Sequence, residues 1–175
     1  MKKVIALLMT TMIMGTMAGC GSSGNKTTDK GTTDGNKEFK VAMVTDTGGV
    51  NDQSFNQSSW EGLQNFEKNN AGGKVSYLES KQESDYATNL DKAVDAGNKV
   101  VWGIGFAMSD AITKAAKANP DVSYAIVDNS YGDDTPANVT GVMFNAQEPS
   151  FMVGYAAAKT TKTGKVGFVG GIKSG

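Results

Sequence analysis

From Phe39 onward the chain alternates short apolar runs with stretches of helical spacing, and that alternation limits its fold more than any other feature. Phe39–Val44, Val75–Leu78, Val100–Ile104, Ser123–Val127, Val139–Phe144 and Lys165–Val169 have the length and apolar character of buried parallel strands. Between them the spacing changes. Leu63 and Phe66 lie three apart, and Asn69-Asn70 with Gly72-Gly73 then stop the helix. Tyr86, Leu90, Ala93, Val94 and Gly97 recur at helical intervals. Met108, Ile112, Ala115 and Ala116 mark the next helix, which ends before Asn119-Pro120. Ser150–Lys159 reads as a further helix with Phe151, Gly154, Tyr155 and Ala158 on one side. Ser54-Phe55-Asn56-Gln57 fits an S-x-x-Q capping box, so the first helix is expected to begin near Phe55. Strand–helix alternation of this kind predicts an α/β fold, a parallel sheet with helices on both faces.

Polar or special residues gather at three strand ends. The first run delivers Thr45 and Asp46, the third Gly103, Gly105 and Phe106, and the fourth Asp128 and Asn129. In an open α/β sheet such ends line one crevice. Asp46, Phe55, Gly105, Phe106 and Asp128 are therefore the candidate ligand-binding residues. Asp46 and Asp128 can accept hydrogen bonds from hydroxyl or amino groups, and one carboxylate can take both hydroxyls of a ribose diol. Phe55 offers a flat apolar face to a ring. Acidic residues with few nearby cations suit a neutral ring-plus-sugar ligand better than a phosphate. Each residue also has a plainer role open to it: Asp46 capping a turn before glycine, Phe55 stapling its own helix, Asp128 capping the loop that follows.

Other chemistries find little support. No G-x-G-x-x-G follows the first strand, there is no Walker sequence, and Gly48-Gly49 resembles a phosphate-cradling loop only weakly. The chain has no histidine, which excludes a Ser-His-Asp triad or a histidine-based metal site within it. No catalytic residue, metal or cofactor is expected.

The first residues carry an address. Lys2 and Lys3 precede a mostly apolar stretch from Val4 to Met17, and Ala18-Gly19 lead into Cys20. This reads as a signal peptide over residues 1–19 with a lipobox-like end, too short for a bilayer span. Cys20 is the single cysteine and the expected lipidation site. Residues 20–38 hold the lipidated cysteine and a polar stretch without a large apolar side chain until Phe39. Gly21–Lys37 should act as a flexible tether with a reach on the order of 20–25 Å. Loss of Lys2 and Lys3 with the signal leaves 15 basic against 18 acidic residues, so nucleic acid is not an expected partner.

Several motifs occur in series: VTDTGGVNDQSFNQSSWEGL at Val44–Leu63, WGIGF at Trp102–Phe106, AIVDN at Ala125–Asn129, PSFMVGYAAA at Pro149–Ala158 and GKVGFVGG at Gly164–Gly171. Together they resemble the basic membrane lipoprotein family, the purine-nucleoside-binding lipoproteins that serve ABC importers. The resemblance implies a two-lobed, type I periplasmic-binding-protein fold, with ligand held between the lobes and closure signalling to an ABC permease. It implies that Asp46 bonds the base, that Phe55 forms half of an aromatic sandwich around it, and that Asp128 accepts the ribose hydroxyls. On this reading residues 39–145 form the first α/β lobe and 146–175 begin a second one, incomplete here.

The expectation is thus a lipid-anchored solute-binding protein on the extracytoplasmic face of the membrane. It would capture a nucleoside, pass it to an ABC permease and perform no chemistry. The alternatives are a nucleotide- or sugar-dependent enzyme on a Rossmann-like sheet, which would need a cofactor fingerprint, and a surface lipoprotein with an adhesive or sensory role.

Overall fold

The computed structural model describes residues 38–170. The expected signal segment, Cys20 and the tether as far as Lys37 lie outside them. Five strands form one sheet: β1 (Phe39–Val44), β2 (Gly73–Leu78), β3 (Val100–Ile104), β4 (Ser123–Val127) and β5 (Val139–Val142). Their order is β2-β1-β3-β4-β5 and every pairing is parallel. The intervening helices are α1 (Phe55–Asn69), α2 (Asp85–Asp95) and α3 (Ser109–Ala118), and α4 (Gln147–Thr160) follows β5. This is the expected α/β architecture.

The register makes the strands finish together. Val44 pairs with Leu78 and Gly103, while Val127 pairs with Ile104 and Val142. All five carboxyl ends therefore reach one edge. The chain runs from β1 outward to β2, then crosses to β3 on the other side, so the strand order reverses between β1 and β3. A crevice opens at such a switch point because the two connections leave in opposite directions.

Side chains alternate across the sheet. Ala42 and Val44 join Leu90, Ala93, Ile112, Ala116 and Ile126 in the larger core beneath α2 and α3. Burying a side chain such as Leu90 or Ile112 contributes about 1.5–3 kcal/mol. Gly103 lets α3 approach this closely: a Cβ there would lie 2.9 Å from both Ile112 Cδ1 and Met108 Sδ. Met43 faces the other way, with Val50, Ile104 and Val127 beneath Trp60, Leu63 and Trp102. This second layer is thin. α1 packs mainly over β2, leaving beside it an apolar groove of about 780 Å³ between Leu63 and Phe66 on one wall and Trp102 and Val142 on the other.

Three expectations need correction. Lys165–Val169 forms no strand; it is exposed and without regular structure, because no described strand lies alongside to complete its backbone hydrogen bonds. β5 ends at Val142 instead of Phe144, where β4, its one partner, also ends. The helix expected over Ser150–Lys159 is longer, and its presumed apolar face meets nothing: no residue of α4 is buried, and Phe151, Met152, Val153 and Tyr155 are exposed.

Candidate functional site

Asp46 follows β1 at the switch point and is half-buried. Its Oδ1 accepts the Gly48 N–H at 2.7 Å and the Asn56 Nδ2 at 2.7 Å. Its own backbone N–H donates to Asn56 Oδ1 at 3.1 Å. No described residue donates to Oδ2, which faces the Gly105 backbone at the end of β3. A Cβ on Gly105 would lie 3.6 Å from that oxygen. Gly105 also has φ +92°, a conformation other residues adopt only under strain. The turn-capping alternative for Asp46 is therefore real but covers half the carboxylate: Oδ1 closes the turn and Oδ2 is left open.

The loop carrying Asp46 is tied down on both sides. Thr45 Oγ1 is buried and accepts the Ser80 N–H at 3.1 Å. The Val50 N–H donates to Glu79 Oε1 at 3.1 Å, while Glu79 Oε2 pairs with Lys81 at 2.6 Å. Beneath the site the Tyr86 phenol is raised above its usual pKa, first by burial and then by the carboxylates of Asp46 and Glu83.

The entry to α1 differs from the capping box expected. Ser54 holds the cap position, but its side chain makes no capping hydrogen bond, and Gln57 turns instead to Glu61. Asp52 does the work from two residues earlier, accepting the N–H groups of Ser54, Asn56 and Gln57 at 2.9, 3.0 and 3.0 Å. Burial pushes its pKa up, but these bonds and the Asn56 amide outweigh that and hold it below the usual carboxylate value. A carboxyl lowered in the fold contributes stability that is complete above the unfolded value and is lost as pH falls through the folded one. Asp52→Ala should cost about 1–2 kcal/mol at pH 7, typical of a lost helix cap, with the difference from wild type shrinking below about pH 4. Thermal melts at pH 7 and pH 3 check both parts.

The other candidates sit on the same edge of the sheet. Asp128, half-buried after β4, has φ +63°, and its N–H donates to Val142 O at 2.9 Å. Asp tolerates that left-handed conformation better than most residues. β3 separates β4 from β1, so Asp128 stands two strand spacings, about 10 Å, from Asp46. Phe55 opens α1 and is 47% exposed; Phe106 lies in the 3-10 turn Phe106–Met108 and is 43% exposed. Asp46 and Gly105 are brought into contact range. Asp128, Phe55 and Phe106 share their edge as separate, accessible groups.

The groove beside α1 is not this crevice. Phe55 and Phe144 stand at its carboxyl end, Phe39 and Phe66 at its amino end, and neither Asp46 nor Asp128 lines it. Its lining is mostly apolar, with Ser54, Ser58 and Ser59 as the polar side chains and no carboxylate among them. Among the described residues no cluster of three or more metal-ligating groups occurs.

Asn56 was invisible as a site residue in the sequence, where it reads as one letter of a capping box. It is fully buried and touches Asp46 and Asp52 at once. The available signal was its type: a buried Asn in a first helical turn needs partners for its amide, and Asp46 and Asp52 supply them.

Residues 39–175 match the sequence profile described as ABC transporter substrate-binding protein PnrA-like. The chain is 45% identical to the CD4+ T-cell-stimulating antigen of Listeria innocua, over 99% of this chain and 50% of that protein. It is 44% identical to the ABC transporter nucleoside-binding protein BmpA of Lactococcus lactis subsp. cremoris, over 99% of this chain and 49% of that protein. It therefore spans about half the length of the curated relatives it matches. Among solved structures, an ABC transporter system solute-binding protein from Aeropyrum pernix K1 superposes with a TM-score of 0.62 at 26% identity, covering 69% of this chain and 32% of that one.

Proposed function

The chain belongs to the family of PnrA-like ABC transporter substrate-binding proteins, and from that premise we propose that it supplies the first, ligand-capturing lobe of a lipid-anchored purine-nucleoside-binding protein. The observation that carries the reading is the open oxygen of Asp46, presented beside Gly105 at the switch point of the sheet. An unprotonated carboxylate accepts hydrogen bonds and donates none, so it selects ligands that offer N–H or O–H groups. In this proposal Asp46 takes the base, Asp128 the ribose hydroxyls, and exposed Phe55 and Phe106 give apolar surface to the ring. The name of the Lactococcus lactis relative supports nucleoside as the ligand.

The second lobe enters the same proposal. Residues 39–145 form the first lobe and 146–175 lead into the second, where α4 would bury the Phe151, Met152, Val153 and Tyr155 that it now exposes. Among the described residues no helix is long and apolar enough to cross a membrane. Attachment through a lipidated Cys20 and delivery to an ABC permease complete the mechanism. A ligand stabilises the closed form only through contacts made there and not in the open form, which requires groups from both lobes.

Two measurements test this. Native mass spectrometry of the two-lobed protein purified from cells should show a bound mass matching a purine nucleoside; a sugar or a peptide in its place would overturn the ligand class. In calorimetry this 175-residue chain alone should bind guanosine or inosine weakly or not at all. Micromolar affinity would show that one lobe suffices and would contradict capture between two.

A further inference from the structure

Resting on the nucleoside-binding reading above, we propose that Asn56 is the positioning residue of the site, holding the Asp46 carboxylate so that one oxygen always faces the crevice. Asn56 is the second residue of α1 and is 0% exposed, so it cannot itself touch a ligand. Its amide is used in both directions. Nδ2 carries two protons and donates one to Asp46 Oδ1 at 2.7 Å and one to Asp52 Oδ2 at 2.8 Å. Oδ1 accepts the Asp46 backbone N–H at 3.1 Å. The reverse orientation would set the amide oxygen against two carboxylates and its nitrogen against an N–H, so the partners fix the assignment.

The consequence falls on Asp46. Two donors, the Asn56 amide and the Gly48 N–H, converge on Oδ1 from different segments. Rotation of the carboxylate about Cβ–Cγ would break both bonds. Oδ2 is thereby aimed past Gly105 before any ligand arrives. Because Asp52 also caps α1, the same amide joins the end of β1 to the start of the helix that presents Phe55.

The test separates positioning from mere support of the fold. Asn56→Ser is made in the two-lobed protein, alone and with Asp46→Ala, and inosine affinity is measured by calorimetry. Acting through Asp46, Asn56→Ser weakens binding about tenfold when Asp46 is present and leaves it unchanged when Asp46 is already replaced. Equal losses in both backgrounds overturn the proposal. A second measurement needs neither ligand nor variant: in the unaltered protein the Asn56 side-chain NH2 protons should exchange with solvent at least about tenfold more slowly than those of the exposed Asn65. Exchange as fast as that of Asn65 also overturns it. If the unaltered protein binds no nucleoside, the functional reading fails, and the exchange experiment still reads whether the Asn56 amide is held on Asp46 and Asp52.

Discussion

Asp46→Asn is expected to lower nucleoside affinity about 100-fold, close to 2.7 kcal/mol, while shifting Tm by no more than about 3 °C. The change is nearly isosteric, so the argument rests on hydrogen-bond direction. Oδ1 must remain an oxygen, because it receives the Gly48 N–H and the Asn56 amide. An asparagine therefore places its NH2 where Oδ2 now stands, and the crevice presents donors in place of an acceptor. A ligand N–H then meets another N–H, and that mismatch is worse than a missing bond because both groups are left unsatisfied. Stability is little affected, since both bonds to Oδ1 survive. Titration calorimetry and a thermal melt on one preparation check the two halves. Wild-type affinity in the variant would remove Asp46 from the site, whereas a collapse in Tm would make it structural.

Gly141→Ala is expected to destabilise the domain by about 3 kcal/mol, lowering Tm by roughly 10 °C. Gly141 lies on β5 opposite Ile126, and the Asn129 carbonyl oxygen is packed against it so closely that a Cβ would overlap that backbone atom. The oxygen cannot easily retreat, because the Asp128 N–H just before it is bonded to Val142 O and Asp128 is already left-handed. Either β5 separates from β4 or the turn carrying Asp128 opens. Domains of this size have about 5–15 kcal/mol in reserve, so the variant should still fold at room temperature. Calorimetry on the variant gives the answer, and an unchanged Tm would mean that the approach of these two segments has slack.

The sheet was legible in the sequence because a parallel strand covered on both faces is a short, nearly uninterrupted apolar run. β1, β3 and β4 begin and end where the residues predict. Lys165–Val169 has the same apolar look and forms no strand, since strand formation depends on a neighbour that its own letters do not encode. Helical periodicity failed similarly at α4: Phe151 and Tyr155 have the spacing of a packed face, but packing needs a second surface. The beginning of α1 was found for the wrong reason. The Ser54–Gln57 pattern and the carboxylate of Asp52 compete for the same N–H groups, and an ionised acceptor takes them. Strand ends located Asp46 and Gly105, whereas the split of labour between the two oxygens of Asp46 depends on Asn56, ten residues on and buried.

The wiring of the loop between β1 and α1 bears on how fast a ligand can be caught. Its ties run to the Thr45, Asp52, Asn56 and Glu79 side chains and are complete without a guest. On the proposed reading, an arriving nucleoside would meet a loop that is already assembled, and this segment would not have to freeze at the moment of encounter. First contact should then proceed at the rate set by diffusion and orientation, with little dependence on solvent conditions that loosen loops. In the proposed two-lobed mechanism, slow steps in uptake would belong to the swing of the lobes and to release.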